Sequence, residues 1–350
     1  MCHGTYRDID HRRTPSRCVT KNRLAFLNEK VGGELRSEDM DRMQCRESFL
    51  EYMQNNQLKG SQTDPGTLVR SILHGTMSVD ETNVINNQWV SLRESIVTMI
   101  DELISDEGDN RSDSISIGNS IVLSDVSGSM EGPPLEISIA LGILVSELNH
   151  PAFRDLVLTF SSIPEWHRLP SNGSLSEKVR SLQSATWGMS TDILKAMEQI
   201  ALVAIKGKLS SRDIPTLIIV TDMEFDQGAG HGWDTTHEQI VTLFHDTGMK
   251  ICGIPYDPPL IVYYNVREST TTFPCKADEK GVVLIGGRSA ALLKYILSGM
   301  FSVADEPITP RMALQLILSE KRLDLIRDTL HDPIVQSTLH TLCESYNIDD

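Results

Sequence analysis

Between residues 116 and 300, short aliphatic runs alternate with helical stretches, and that alternation restricts the fold more than any other feature of the chain. The runs at 121–123, 156–160, 216–221, 260–265 and 282–285 are too short for helices. They are also apolar on both faces, as strands are when a parallel sheet is covered on each side. A further stretch at 166–169 suits a short edge strand. Helical spacing appears between them, at 133–149, 175–182, 191–205, 235–246 and 289–297. Pro133 and Pro134 open the first of these helices, where proline is tolerated. In the third, Ile193, Leu194, Met197, Ile200, Ala201 and Ala204 share one side. Strands alternating with helices are βαβ units. The expected fold is therefore α/β, a doubly wound, mainly parallel, Rossmann-like sheet with a helical N-terminal region and a short helical C-terminal extension.

Four segments are expected. Residues 1–60 form a partly disordered or helical arm, 61–115 a helical region, 116–300 the α/β domain, and 301–350 a helical extension. Helical patterns occupy 38–53 and 88–104, with a polar linker at 59–64 and a boundary rich in Asp, Ser, Gly and Asn at 106–114. In the extension, Thr309 is a good N-cap with Pro310 at the first position of a helix over 310–327. A chain of 350 residues has room for two domains, and 40 % hydrophobic residues suffice for a core. With 5 % aromatics, that core must be mostly aliphatic.

The formal net charge is -16, which disfavours a broad nucleic-acid surface. The first thirty residues run against this trend. There Arg7, Arg12, Arg13, Arg17, Lys21, Arg23 and Lys30 outnumber Asp8, Asp10 and Glu29. A short basic arm on an acidic body could touch RNA or an acidic lipid surface, but a solvated terminus is the simpler expectation. The six cysteines are scattered and form no CxxC pair, which argues against a disulfide scaffold or zinc ribbon. No signal-peptide core or apolar run of membrane-spanning length is present in the sequence, so a cytoplasmic protein without a membrane span is expected.

The chemistry concentrates in three loops. The first strand ends in Ser124-Asp125-Val126-Ser127-Gly128-Ser129-Met130. Ligands of doubly wound sheets bind at the carboxyl ends of strands, where Asp125 leaves its strand. Ser127 and Ser129 alternate with Val126 and Gly128, so both hydroxyls can face one point, and Gly128 permits a tight backbone path. The strand at 216–221 ends in Asp222, and a loop beginning at Trp187 delivers Thr191 just before a helix. Two carboxylates and three hydroxyls thus converge. All are hard oxygen donors, suited to Mg²⁺ first, with Mn²⁺ or Ca²⁺ as alternatives, and unsuited to zinc. Asp192, Glu224 and Asp226 lie nearby, either orienting water behind the ligands or as solvated loop acids. Trp187 and Trp233 either line the rim or pack beneath a loop.

The pattern Asp-x-Ser-x-Ser, then a distant Thr, then a distant Asp, resembles the metal-ion-dependent adhesion site (MIDAS) of von Willebrand factor type A (vWA) domains. Asp125, Ser127, Ser129, Thr191 and Asp222 match all five positions. The resemblance implies that an Asp or Glu from a protein partner completes the metal's shell. A closer likeness is to an uncharacterised intracellular family of plants, other eukaryotes and their viruses, known as a domain of unknown function with a C-terminal vWA domain. It rests on Asp125-Val126-Ser127-Gly128-Ser129-Met130, Trp187-Gly188-Met189-Ser190-Thr191-Asp192, Asp222-Met223-Glu224-Phe225-Asp226, Tyr264-Asn265-Val266-Arg267 and Gly286-Gly287. The first 60 residues are shorter than is typical there, and 249–258 departs from the pattern as an insertion or a misplaced exon boundary would. The RNA-binding Ro proteins are more distantly similar, with the same metal motif in a C-terminal vWA domain beside helical repeats.

These observations favour a metal-dependent protein-binding or scaffold module over an enzyme. The alternative is a ribonucleoprotein component similar to Ro proteins, with RNA held by the helical region. A Mg²⁺-dependent hydrolase or phosphatase comes third. The serine loop lacks the first glycine of a nucleophile elbow, and His231 and His237 are the nearest candidate bases. A phosphatase built on Asp125 would usually carry an acid at position 127, where this chain has Ser127.

Overall fold

The computed structural model of the chain describes residues 5–106, 120–125, 130–159, 163–185, 192–221, 233–267 and 281–286. The expected helices at 289–297 and 310–327 lie outside the described residues, as does most of the expected boundary at 106–114.

The sheet is the doubly wound one expected. Its strands are β1 (Ser120–Ser124), β2 (Leu156–Thr159), β3 (Trp166–Arg168), β4 (Thr216–Thr221), β5 (Ile261–Asn265) and β6 (Val282–Gly286), in the order β3-β2-β1-β4-β5-β6. All neighbours pair in parallel except β2 and β3, so β3 is an antiparallel edge strand. Every residue of β1 and β5 is buried, which explains their unbroken apolar character.

Eight helices are described: α1 (Ser16–Phe26), α2 (Met40–Asn55), α3 (Pro65–His74), α4 (Val79–Asp106), α5 (Pro133–Leu148), α6 (Leu175–Gln183), α7 (Ile193–Gly207) and α8 (Trp233–Cys252). On one face of the sheet, Ala196, Met197, Ile200, Ala201 and Ala204 of α7, with Ile240 and Phe244 of α8, meet Ile121, Leu123, Leu217, Ile219, Ile261 and Tyr263. Helix α5 packs against β1. A Cβ on Gly142 would sit 2.8 Å from the Ser124 Oγ and 3.4 Å from Val157, so glycine permits that close approach.

The helical region is folded more thoroughly than its composition suggested. Most basic side chains of the first thirty residues are solvated, as expected, but the segment is ordered: α1 buries Val19 and Phe26 against Cys45 and Phe49 of α2, Leu58, and Val84 of α4. Several basic residues are neutralised locally: Arg23 by Glu81 at 2.8 Å, Arg46 by Glu29 at 2.7 Å, Arg13 by Asp10 at 3.4 Å. Nor is 59–64 a free linker. The Gly60 N–H donates to Ser91 at 2.9 Å, and Asp64 caps α3 through the N–H groups of Gly66 and Thr67.

This region lies directly on the sheet's helices. Gly66 abuts Ile137 of α5, and Arg70 reaches the buried Glu136 at 3.2 Å. The Trp89 indole N–H donates to Glu147 at 3.2 Å, and Lys178 pairs with Glu147 at 2.8 Å. Residues 249–258 are also part of the packing. Helix α8 continues to Cys252, and the buried Tyr256 donates its hydroxyl to the Leu209 carbonyl at 2.8 Å.

Two outcomes follow from these contacts. The side chains of Lys178 and Glu147 are 4 % and 5 % exposed, so Lys178→Met takes the nearest cation from a buried carboxylate and leaves it the Trp89 N–H and Arg93 at 3.7 Å. Urea unfolding should show a loss of roughly 1.5–3 kcal/mol, the worth of a hydrogen bond to a charged group. The second concerns His11, which sits among the rings of Phe26, Phe49 and Tyr52. Burial lowers its pKa below the ordinary 6.5, against a smaller opposing pull from Asp10. His167 is lowered too, by burial, with its bond to Ser181 opposing. Folding therefore favours neutral imidazoles. Stability should be complete above the unfolded value and fall as pH drops through it. Thermal unfolding between about pH 7.5 and 5.5 should show this decline, and His11→Phe should remove part of it.

Candidate metal centre

The strand order reverses at β1. From β1 the chain turns to β2 on one side, then returns through α6 and α7 to β4 on the other. Such a reversal opens a crevice above the carboxyl ends of the two strands, the usual ligand position in open α/β sheets. Asp125 follows the last residue of β1, and Asp222 follows the last residue of β4 in the chain.

Asp125 is in this crevice and is 2 % exposed. Its N–H donates to the Val220 carbonyl at 3.1 Å, extending the β1–β4 ladder by one residue. Its Oδ2 accepts from the Thr221 hydroxyl at 2.9 Å. Ser127, Ser129, Thr191, Asp222, Glu224 and Asp226 lie outside the described residues, as does Trp187. Among the described residues, no cluster of three or more His, Cys, Asp or Glu side chains could hold a metal.

Asp192 is the N-cap of α7. Its carboxylate accepts from the Lys195 N–H at 3.2 Å and pairs with the Lys195 ammonium at 3.6 Å. The cap fixes where α7 begins, directly after Thr191 in the chain. Trp233 is the first residue of α8. His237 lies against Gly281, which precedes the amino end of β6, whereas Asp125 stands at the carboxyl end of β1.

Two residues to which the sequence assigned no role at the site, Thr221 and Asn265, share the crevice edge. Ile121, Leu217 and Ile261 form one row across the sheet, and Leu123, Ile219 and Tyr263 the next. Side chains alternate along a strand, so two residues further on the same face come Asp125, Thr221 and Asn265. All three are buried, and Thr221 and Asn265 are register partners. The Asn265 carboxamide oxygen accepts from the Arg267 N–H at 2.9 Å. Each strand thus turns from aliphatic to polar at the same level. That signal was present in the sequence, but it becomes readable only once the register is known.

The fold and this polar row define a doubly wound α/β protein with an oxygen-rich crevice at its switch point. More particularly, residues 119–322 match the model of DUF7788, a domain of unknown function, and the chain belongs to that family. It is similar to an uncharacterised protein of Acanthamoeba polyphaga mimivirus, 30 % identical over 305 residues, covering 85 % of this chain and 48 % of that protein. The chain therefore spans about half the length of that curated relative. Among solved structures, the Ro (RSR) protein of Deinococcus radiodurans aligns over 82 % of this chain and 60 % of its own, with 14 % identity and a TM-score of 0.36.

Capping by Asp192 can be separated from any service to a metal. Asp192→Ala should cost about 0.5–2 kcal/mol in urea unfolding without metal, and Asp192→Asn, itself a good cap, only a few tenths.

Proposed function

We propose that this chain is a cytoplasmic, metal-dependent protein-binding or scaffold module built on a vWA-type domain, and not an enzyme. A divalent cation, Mg²⁺ first and Mn²⁺ or Ca²⁺ as alternatives, would be held by Asp125, Ser127, Ser129, Thr191 and Asp222, and would capture an Asp or Glu side chain of a partner. The metal supplies a concentrated positive charge and an open coordination position. The chain's own residues would supply hard oxygen donors, of which the Asp125 carboxylate is buried.

The contact between Asp125 and Thr221 carries this reading. A buried carboxylate stands at the switch point, hydrogen-bonded to the residue that immediately precedes the second carboxylate of the motif. The donor chemistry fits a hard cation: Asp125 offers carboxylate oxygen, and the other four positions are carboxylate or hydroxyl in the sequence. Among the described residues, no helix is long and apolar enough to cross a membrane. The ribonucleoprotein alternative draws less support. The basic residues that suggested it include Arg7, Arg13, Arg23 and Lys30, each beside a carboxylate: Asp41, Asp10, Glu81 and Glu34 respectively.

Calorimetric titration of chelator-treated protein with Mg²⁺, Mn²⁺ and Ca²⁺ tests the metal. The expected result is one site in the wild type and none in Asp125→Ala. Equal binding by the two proteins, or no binding by either, removes the reading. Capture of partners from a cell extract should be lost with chelator. Filter binding of structured RNA at two salt concentrations separates the alternative, because phosphate-driven binding weakens steeply with salt.

A further inference from the structure

We infer that Thr221 is a positioning residue for the cation site, acting through Asp125; the inference rests on the metal-binding reading above. Thr221 ends β4 and is 1 % exposed. Its Oγ1 donates to Asp125 Oδ2 at 2.9 Å, a contact between two buried side chains 96 residues apart in sequence. Its backbone is held as well. The Thr221 carbonyl accepts from the Val266 N–H at 3.2 Å, and Thr221 is in register with Asn265 of β5.

Each of these contacts limits a different freedom. The ladders fix the Thr221 Cα. Branching at Cβ restricts its χ1, so the hydroxyl has little choice of direction. A carboxylate at the end of a strand could otherwise rotate about its own side-chain torsions. The hydroxyl bond ties one oxygen of Asp125 to the neighbouring strand, so the sheet itself helps to set the orientation of that ligand. Thr221 also precedes Asp222 in the chain. One residue therefore orients the first carboxylate through its side chain and anchors the backbone from which the second departs. Partners that orient ligands in this way are commonly worth about 10–100-fold in metal affinity.

The test uses the full chain, freed of metal by chelator, with Thr221→Val, Thr221→Ala and Thr221→Ser. Valine keeps the shape of threonine and removes the donor; serine keeps the donor. Circular dichroism confirms folding, thermal unfolding without metal reports stability, and calorimetry with Mn²⁺ and with Mg²⁺ reports affinity. Affinity should fall about 10–100-fold in Thr221→Val and stay within about threefold of wild type in Thr221→Ser. If Thr221→Val does not fold, Thr221→Ala is read in its place. A purely structural role would lower the unfolding temperature of the metal-free variants and leave affinity unchanged in those that fold. That result overturns the inference while the metal reading stands. A wild type that binds neither cation overturns both.

Discussion

The parallel pairing of β1 with β4 is the interaction on which the rest of the molecule depends. Five residues of β1 run in register with β4, from Ser120 beside Thr216 to Ser124 beside Val220. The two strands are far apart in sequence, so their pairing closes a long loop at an entropic cost that local structure cannot recover. Burial recovers it. Both strands are covered on both faces, with α5 packed against β1 on one side and the α7 and α8 side chains on the other. The same ladder continues one residue beyond β1 to Asp125 and delivers its carboxylate to Thr221. The site is thus the last step of the sheet's own hydrogen bonding, continuous with the scaffold.

The helical region gains its order from the same sheet, through α5. Glu147, near the end of α5, accepts from Trp89 of α4 and Lys178 of α6. Glu136, near its start, is reached by Arg70 of α3. These carboxylates are nearly inaccessible to water, where a charge needs partners; Glu147 is hydrogen-bonded by both of its own, whereas Arg70 meets Glu136 as an ion pair. Each helix that meets α5 here supplies a partner. Ionic contacts of this kind demand good geometry, so they specify where α3, α4 and α6 must lie more sharply than apolar contact alone.

What the sequence revealed follows the strength of each local signal. The strands were legible because a parallel strand buried on both faces has little choice but aliphatic residues. Helix α5 announced itself by Pro133 at its start, and α7 by a wide apolar stripe. Helix α1 was obscured because Val19 and Phe26 lie among Arg17, Lys21 and Arg23, whose charges are neutralised by distant residues such as Glu81. Helix α2 was expected at 38–53 and runs Met40–Asn55, although its buried positions are only Cys45 and Phe49. Asp64-Pro65 did carry a helix-start signal for α3, but the helix it opens is short and its polar approach resembled a linker. The break expected after Asp246 failed because Gly248 is needed inside α8, where a Cβ would meet the Ile254 carbonyl at 2.3 Å. At the site, Asp125 was legible as an acid at a strand end. Thr221 was not, because threonine is an ordinary strand residue; Asn265 stood out only within a family motif, and the row the two share exists only across strands.

That row also bears on the proposed cation. Beneath it lie two full rows of aliphatic and aromatic side chains, so the oxygens of Asp125, Thr221 and Asn265 face a medium in which electrostatic interactions are strong. The same medium makes a poorly satisfied carboxylate expensive. A hydroxyl from β4 answers part of that demand in the structure itself. The proposed divalent ion would answer it more completely, because one charge can serve several oxygens at once. Asp125, Thr221 and Asn265 stand at the ends of hydrogen-bonded neighbouring strands, β1, β4 and β5. If an ion binds there as proposed, Asp125 meets it already oriented, so little of the binding energy is lost to arranging that ligand.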